Sequence, residues 1–395
     1  MKIPSGLKSY LVIAAIIAAG YGMYAYRDLI FYKAVSVLPE GQSDVVQGVL
    51  KGDLPADDIK TIATGLEIPW DIAFLPGGNL LVTERPGRLK RITPDGAIAE
   101  VAGIEGTRRN SEGGLLGVAA HPRFDENGWI YLYQTITVGT GAKNRVDRYR
   151  LNPPSSEGSG GASGWHLSER TTILQNIPGA IYHDGGELVF GPDGKLYVTT
   201  GDATQSALSQ DLKSLSGKIL RLNDDGTIPG DNPFGTAVWS YGHRNPQGLA
   251  WDGQGRLWAT EHGRSGALSG LDELNLIEKG QNYGWPVIQG DEENEGMRKP
   301  VAQSGPTYTW APSGLAFYAG NMIFGGLRGE ALYQAKIGQS PVLVLSHFEK
   351  EYGRIRAVVM GPDKMLYFTT SNRDGRGAPK DGDDKIIRVN PRLFQ

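Results

Sequence analysis

The sequence contains no cysteine. Disulfides, thiolate metal sites and cysteine nucleophiles are therefore excluded, and stability must come from packing, with a bound ion or cofactor as the other available source. Charge of one sign is also lacking: the formal net charge is −3, with no clustered basic face of the kind a nucleic-acid partner requires. No phosphate-binding loop occurs, and no Gly-x-Gly-x-x-Gly joins a strand to a helix, so nucleotide cofactors are not expected. No EF-hand pattern is present. What is there suits a globular chain: 395 residues, 39% hydrophobic and 21% charged, enough for one large all-β domain or two smaller ones. Glycine reaches 56 residues and proline 23, without a Gly-X-Y period. That combination predicts many turns and hence many short strands.

One long uncharged run exists, at the N-terminus, from Ser9 to Tyr26, preceded by Lys2 and Lys8. It sits at the short end of the ~17–25 residues a membrane-spanning helix needs. Lysines before it and tyrosines near its far end predict an inside-to-outside orientation. An uncleaved anchor is the expectation and a cleaved signal peptide the rival, since Tyr and Met interrupt every small-x-small cleavage candidate. Residues 1–30 are thus assigned to an anchor or signal peptide and 31–58 to a spacer with little structure of its own. Both leading readings place residues 59–395 outside the cytoplasm, periplasmic if the membrane is an inner one.

From Pro69 onward a unit recurs: an apolar strand, a Pro-Asp-Gly-like turn, and a second strand ending in Thr or Gly. The units are Pro69–Arg85, Gly114–Tyr133, Gly186–Gly201, Gly248–Thr260, Gly314–Gly326 and Ile355–Thr370. Such turns reverse the chain tightly because proline presets φ and glycine accepts positive φ. Most units are followed by a third strand carrying Arg or Lys, such as Gly217–Leu222 and Lys385–Asn390. Six all-strand repeats predict a six-bladed β-propeller. Two β-sandwiches are the alternative, but sandwiches do not repeat one hairpin at this spacing. Residues 153–164, rich in Pro, Ser and Gly, predict a flexible surface loop. Residues 261–310 predict a long excursion over the channel mouth.

Candidate chemistry lies at the strand entrances. His183 directly precedes the third unit's first strand, and Arg244, Asn245 and Gln247 hold the corresponding place one blade on. Inner strands run beside the channel, so these groups should converge at one mouth, where a histidine can act as general base. His121 is expected to cap a turn. His243 and His262 flank the site and are left open between structure and function. Arg354 and Arg356 alternate on the sixth unit's first strand, so both should share one face. Paired guanidinium groups there imply an anionic ligand with several carboxylates or phosphates, and Arg328 could join them. Asp272 to Asn275 and Asn282 to Pro286 bring carboxylates, amides and glycine turns together in the excursion, which suits Ca²⁺.

Four segments then carry a resemblance: His183-Asp184-Gly185-Gly186, Gly242-His243-Arg244-Asn245-Pro246-Gln247-Gly248, Asp272–Asn275 with Asn282–Pro286, and Arg354-Ile355-Arg356. In this order they resemble the signatures of the soluble quinoprotein glucose/sorbosone dehydrogenases, aldose sugar dehydrogenase branch, over about Thr61 to Asn390. The resemblance implies a six-bladed propeller that binds pyrroloquinoline quinone (PQQ) and Ca²⁺, oxidises an aldose to its lactone and passes electrons to an external acceptor. His183 resembles the base that takes the anomeric hydroxyl proton. Arg244 resembles the residue over the reacting quinone oxygen, with Asn245 and Gln247 its neighbours around the cofactor. Arg354 and Arg356 resemble the pair that grips the quinone carboxylates. The carbonyls of Gly263 and Arg264 look like ligands of one ion, and Glu273 and Tyr283 like ligands of a second Ca²⁺ site. The chain departs from the pattern at Glu112, where some members carry Gln, at Arg328, where some carry Lys, and at Ser313, where some carry Thr. The segment Glu261-His262-Gly263-Arg264 also lacks a proline found in better-known members.

Two other functions fit a propeller. A Ca²⁺-dependent lactonase would need carboxylates and amides converging from several blades, and gives no reason for paired arginines. A non-catalytic binding module gives no reason for His183 beside Arg244.

Overall fold

The computed structural model describes residues 45–47, 58–154, 164–265 and 270–395. The expected anchor, most of the spacer and most of the Pro153–Gly164 loop lie outside the described residues. Among the described residues, no helix is long and apolar enough to cross a membrane.

The six expected hairpins form six antiparallel sheets arranged as a propeller. Blades 1 to 5 begin on the inner strands Pro69–Phe74, Leu115–Ala120, Leu188–Phe190, Pro246–Trp251 and Pro312–Tyr318, and blade 6 on Ile355–Met360. Neighbouring inner strands pack side by side around the axis, and Ile355–Met360 closes the ring against Pro69–Phe74. Blade 6 has only three strands from its own stretch of chain. Its fourth is Ile59–Ala63, which pairs antiparallel with Ile386–Val389. The first strand of the domain thus completes the last blade and covers the edge of Ile386–Val389.

The conserved shape of the hairpin has a local cause. In the third blade, Asp193 accepts from the backbone of Lys195 (3.1 Å), from the Tyr197 hydroxyl (3.0 Å) and from Arg221 Nε (2.9 Å). In the sixth, Asp363 accepts in the same way from Met365, Tyr367 and Arg388 at 3.2, 3.0 and 2.8 Å. One turn aspartate therefore ties three strands, which explains the basic residue that recurs on the third. The threonine ending the second strand joins blade to blade. Thr83 donates to the Leu116 carbonyl (2.5 Å), Thr260 to that of Ser313 (2.6 Å), and Thr369 to that of Pro69 (3.4 Å) across the ring closure.

Three expectations need correction. Residues 261–310 are not a pure excursion: Glu273–Ile277 and Ala302–Gln303 are the third and fourth strands of blade 4. The intervening loops obscure the strand period in the sequence. The spacer contributes Val45–Gln47, which adds a fifth strand to blade 5, parallel to Leu343–His347. Arg354 and Arg356 do not follow simple alternation. Arg354 precedes the strand, and a register shift between Ile355 and Val358 re-aims the chain there.

Candidate active site

His183 lies in the segment before the third inner strand with φ of 62°, a left-handed conformation that costs a β-carbon-bearing residue roughly 1–2 kcal/mol. The surroundings enforce it. Its N–H donates to Glu112 Oε2 (2.9 Å), and its carbonyl accepts from Ala203 (3.1 Å). Gly201 passes so close that a Cβ there would sit 1.9 Å from that carbonyl. The imidazole Nδ1 meets Asp202 Oδ1 at 2.7 Å. Burial alone would raise the Asp202 carboxyl, but the hydrogen bond and charge of His183, with Arg244 beside them, hold it below its ordinary value. An ionised Asp202 places the ring proton on Nδ1 and leaves Nε2 as the acceptor.

Arg244 stands one blade on. Its backbone N–H donates to Glu261, and its carbonyl accepts from Asp202 (2.7 Å). Its guanidinium reaches Ser265 Oγ at 2.8 Å and lies 5.3 Å from the centre of the Trp285 ring. Trp285 Nε1 donates to Asp202 Oδ2 (2.9 Å), so His183, Asp202, Trp285 and Arg244 form one assembly. Arg244 Nε is buried without a partner among the described residues. Asn245 Oδ1 accepts from Gly185 and from Gln247, both at 3.1 Å, and Gln247 Oε1 accepts from Arg356 at 2.6 Å. The four residues thus carry a continuous chain of bonds from blade 6 to the His183 segment.

The two expected clamp arginines differ. Arg354 is engaged with Asp374 Oδ2 (Nη2, 2.7 Å) and with the Leu327 carbonyl (2.9 Å). Arg356 keeps a buried Nε with no partner among the described residues. Burial, with Arg85 and Arg354 close by, pushes the Arg356 guanidinium down to about 9, against the pull of Asp374 and Glu112. Arg85 is pushed down to about 10 by its own burial, with Arg376 and Arg109 adding to it. A pocket that crowds buried guanidinium groups is complementary to a ligand with several carboxylates. Glu112 sits at the same mouth. Its Oε1 accepts from Arg376 Nη1 (2.9 Å), and Arg376 with His183 holds the carboxyl well below the usual range despite burial. Ser313 donates its hydroxyl to the Ile355 carbonyl (2.8 Å), joining inner strands of blades 5 and 6. Arg328 is half-buried just ahead of them, its backbone N–H on the Trp310 carbonyl (3.2 Å).

The open histidines separate cleanly. His243 is buried between Glu261 (2.8 Å) and Ser240 (2.9 Å) and stacks on Tyr283, a structural place. His262 faces the site with Nε2 buried and unpartnered, and burial holds it neutral, down to about 3. His121 caps its turn as expected, Nδ1 accepting from the Arg123 N–H (3.0 Å).

Beside this site a small cavity of about 10 Å³, room for one water or ion, is lined by Glu261, Gly263, Glu273, Tyr283 and Gln289 among others. Glu273 is pushed up to about 8 by burial and by the charge of Glu261. Gln289 Oε1, and Asn275 Oδ1 next to Glu273, are buried with no partner among the described residues. Two crowded carboxyls and two orphaned amide oxygens suit a hard cation. The Tyr283 hydroxyl is not among the available oxygens, because it donates to the Leu276 carbonyl (2.5 Å) and accepts from the Glu278 N–H (2.8 Å). Only its carbonyl remains for an ion. Gly263 donates its N–H to Asp272 Oδ1 (2.8 Å), and the Arg264 carbonyl accepts from Gly270 at 3.4 Å.

Sequence reasoning missed Asp202, Trp285, Asp374 and Arg376. Asp202 lies two residues past the second strand of blade 3, whereas Glu84 and Glu261 end the second strands of blades 1 and 4, so no repeat register marks it. The others lie on loops without a repeat to align them.

Comparison with known proteins follows the same lines. Residues 66–387 match the glucose/sorbosone dehydrogenase family. The chain is 40% identical to the PQQ-bound form of aldose sugar dehydrogenase from Streptomyces coelicolor, with a TM-score of 0.77 over 84% of this chain and 97% of that one. It is 31% identical to an aldose sugar dehydrogenase of Escherichia coli over 85% of this chain and 93% of the relative. It is 33% identical to quinoprotein glucose dehydrogenase B of Acinetobacter calcoaceticus, over 60% of this chain and 54% of that protein.

Proposed function

The chain belongs to the glucose/sorbosone dehydrogenase family, as a PQQ-dependent sugar oxidoreductase of the aldose sugar dehydrogenase type, and from that premise we propose that it oxidises aldoses to lactones with His183 as general base. The observation that carries the residue assignment is the His183–Asp202 pair, 2.7 Å apart and tied through Trp285 to Arg244. His183 Nε2 accepts the proton of the anomeric hydroxyl, and Asp202 stabilises the imidazolium that forms. Arg244, buried and with an unpartnered Nε, supplies charge where negative charge develops on the acceptor side. His262 stays neutral and offers Nε2 as an acceptor without competing for the base's role.

The residues present fit both implied groups. Arg356, Gln247 and Asn245 would hold the carboxylates of PQQ, with Arg354, itself bound to Asp374 and the Leu327 carbonyl, adding positive charge beside them. Arg328, Glu112 and Ser313 line the same end, Ser313 by shaping the strands and Glu112 by fixing the His183 backbone. Glu273, aided by Glu261, Gln289 and the Tyr283 carbonyl, would hold one Ca²⁺, and the Gly263 and Arg264 carbonyls would face the quinone's own ion. When bound, the quinone would supply the two-electron acceptor for the hydride from sugar C1, Ca²⁺ would supply Lewis acidity, and an external acceptor would take both electrons from the reduced quinone. Tethering to a membrane through Ser9–Tyr26, on the extracytoplasmic side, belongs to the same proposal.

The test is reconstitution. Protein prepared without quinone is mixed with PQQ, Ca²⁺ and a panel of aldoses while dye reduction is followed. Turnover that requires both additions supports the function. Folded protein that neither binds quinone nor turns over would overturn it.

A further inference from the structure

The axial channel has a second mouth, and nothing in the sugar chemistry uses it. A cavity of about 500 Å³ opens at the ends of the inner strands and is lined by residues of all six blades. This volume lies within the roughly 300–1,000 Å³ of small-molecule sites. Its rim carries Phe74, Phe190, Trp251 and Phe317, at or next to the last residue of four inner strands, each half-buried. Three of these rings are fixed from behind. Tyr367 meets Phe74 edge-on at 5.0 Å, Tyr131 meets Phe190 at 5.1 Å, and Tyr197 meets Trp251 at 5.1 Å. Each backing tyrosine is itself held through its hydroxyl, on Asp363, the Asp224 carbonyl and Asp193. The cage is therefore built before any ligand arrives.

Asp71 and Glu187 lie deeper in the same cavity. In the repeat alignment they share a register, three residues before Phe74 and Phe190, where blades 4, 5 and 6 have Gly248, Gly314 and Ala357. Asp71 gives its oxygens to the N–H groups of Ile72 (2.7 Å) and Val118 (2.8 Å). The Glu187 carboxyl accepts no hydrogen bond from any described residue, although its backbone N–H is held by Thr199 (3.0 Å). Burial raises the Asp71 carboxyl against the hydrogen bonds from Val118 and Ile72, and burial with the charge of Asp71 raises Glu187 against Arg356. Two carboxyls thus share one opposing cation, Arg356, whose guanidinium is already engaged with Gln247, and aromatic rings beside an acidic pair favour a cation.

We propose that this second mouth is a binding site for a small organic cation, an ammonium group on an apolar body, with the ammonium on Glu187 and Asp71 and the body among Phe74, Phe190, Trp251 and Phe317. The catalytic mouth cannot take the same ligand, because buried arginines crowd it. Binding lets the acidic pair ionise, so a proton leaves to bulk solvent as the cation enters.

The test uses benzyltrimethylammonium, with benzyl alcohol as the neutral probe and benzoate as the anionic one, on the whole protein without sugar or quinone. Calorimetry is run in two buffers of different ionisation enthalpy. The expected result is saturable one-to-one binding of the cation with proton release, about tenfold or more tighter than benzyl alcohol, and no binding of benzoate. Glu187→Gln and Trp251→Leu should each weaken the cation by a similar factor at unchanged melting temperature. Equal affinity for the neutral probe, or no cation binding, overturns the proposal on the unmodified protein even where a variant fails to fold. So does undiminished binding to a folded Glu187→Gln.

Discussion

The two mouths of the channel use opposite ends of the same six strands. At the entrances, His183, Arg244, Gln247 and Arg356 are buried or half-buried and bonded across blades, and the Nε atoms of Arg244 and Arg356 have no partner among the described residues. At the exits, Phe74, Phe190, Trp251 and Phe317 share a lining of Ala, Val and Leu side chains broken by Asp71 and Glu187. The entrance polar groups are held by loops that follow the second strands, such as the one bringing Asp202. The exits are held by the repeat itself, through turn aspartates and second-strand tyrosines. A strand entrance fed by irregular loops can be charged and strained. A strand exit closed by a tight turn is set by packing alone.

The largest break in that contrast should come from Asp202→Asn. The amide cannot stabilise an imidazolium or fix the Nδ1 proton, so kcat should fall by about 10²–10⁴ while quinone titration stays close to wild type. A wild-type kcat in this variant would remove Asp202 from the assembly. Next, Arg354 and Arg356 should separate. Arg354→Ala strands Asp374 in the interior and should cost roughly 3–5 kcal/mol in denaturant unfolding. Arg356→Ala should lose less stability and more quinone affinity, about tenfold or more by titration. Equal effects in both assays would mean that the two arginines do one job.

A pH series sharpens the entrance further. Burial raises the Asp184 carboxyl to about 7 from 3.8, against hydrogen bonds from Asn144 and Ala180. The folded state therefore binds more protons than the unfolded one across that interval, and this contribution to stability is lost as pH rises from about 4 towards 7. Asp184→Asn removes the dependence, so the variant should gain on wild type by roughly 3 kcal/mol between pH 4 and 8. Parallel stability curves for the two proteins would contradict the shift. The smallest effect is expected at the exits: Phe317→Leu should change sugar turnover by less than about twofold, since that ring touches no residue of the catalytic mouth.

The propeller was legible because its hairpin repeats, and the repeat has one dominant signal, the turn aspartate with its second-strand aromatic and third-strand arginine. His183 and Arg244 were legible because they occupy one register of that repeat, and Arg356 because it shares the register of Gln247. Blade 4 was obscured because Glu273–Ile277 and Ala302–Gln303 are separated by loops longer than the strands themselves. The difference between Arg354 and Arg356 was hidden by the register shift at Ile355, which strict alternation does not foresee. Asp374 and Arg376, which decide what Arg354 and Glu112 touch, lie between the second and third strands of blade 6, with no counterpart to align. Tyr283 read as an oxygen ligand, yet its hydroxyl closes a local turn between Leu276 and Glu278.

The most direct test of the account is His183→Ala, assayed for quinone binding and for aldose turnover in one preparation loaded with PQQ and Ca²⁺. The account predicts quinone affinity within a few-fold of wild type and turnover reduced by about 10³ or more. Turnover close to wild type would contradict the role of His183 as the base, and with it the reading of the entrance as the catalytic mouth.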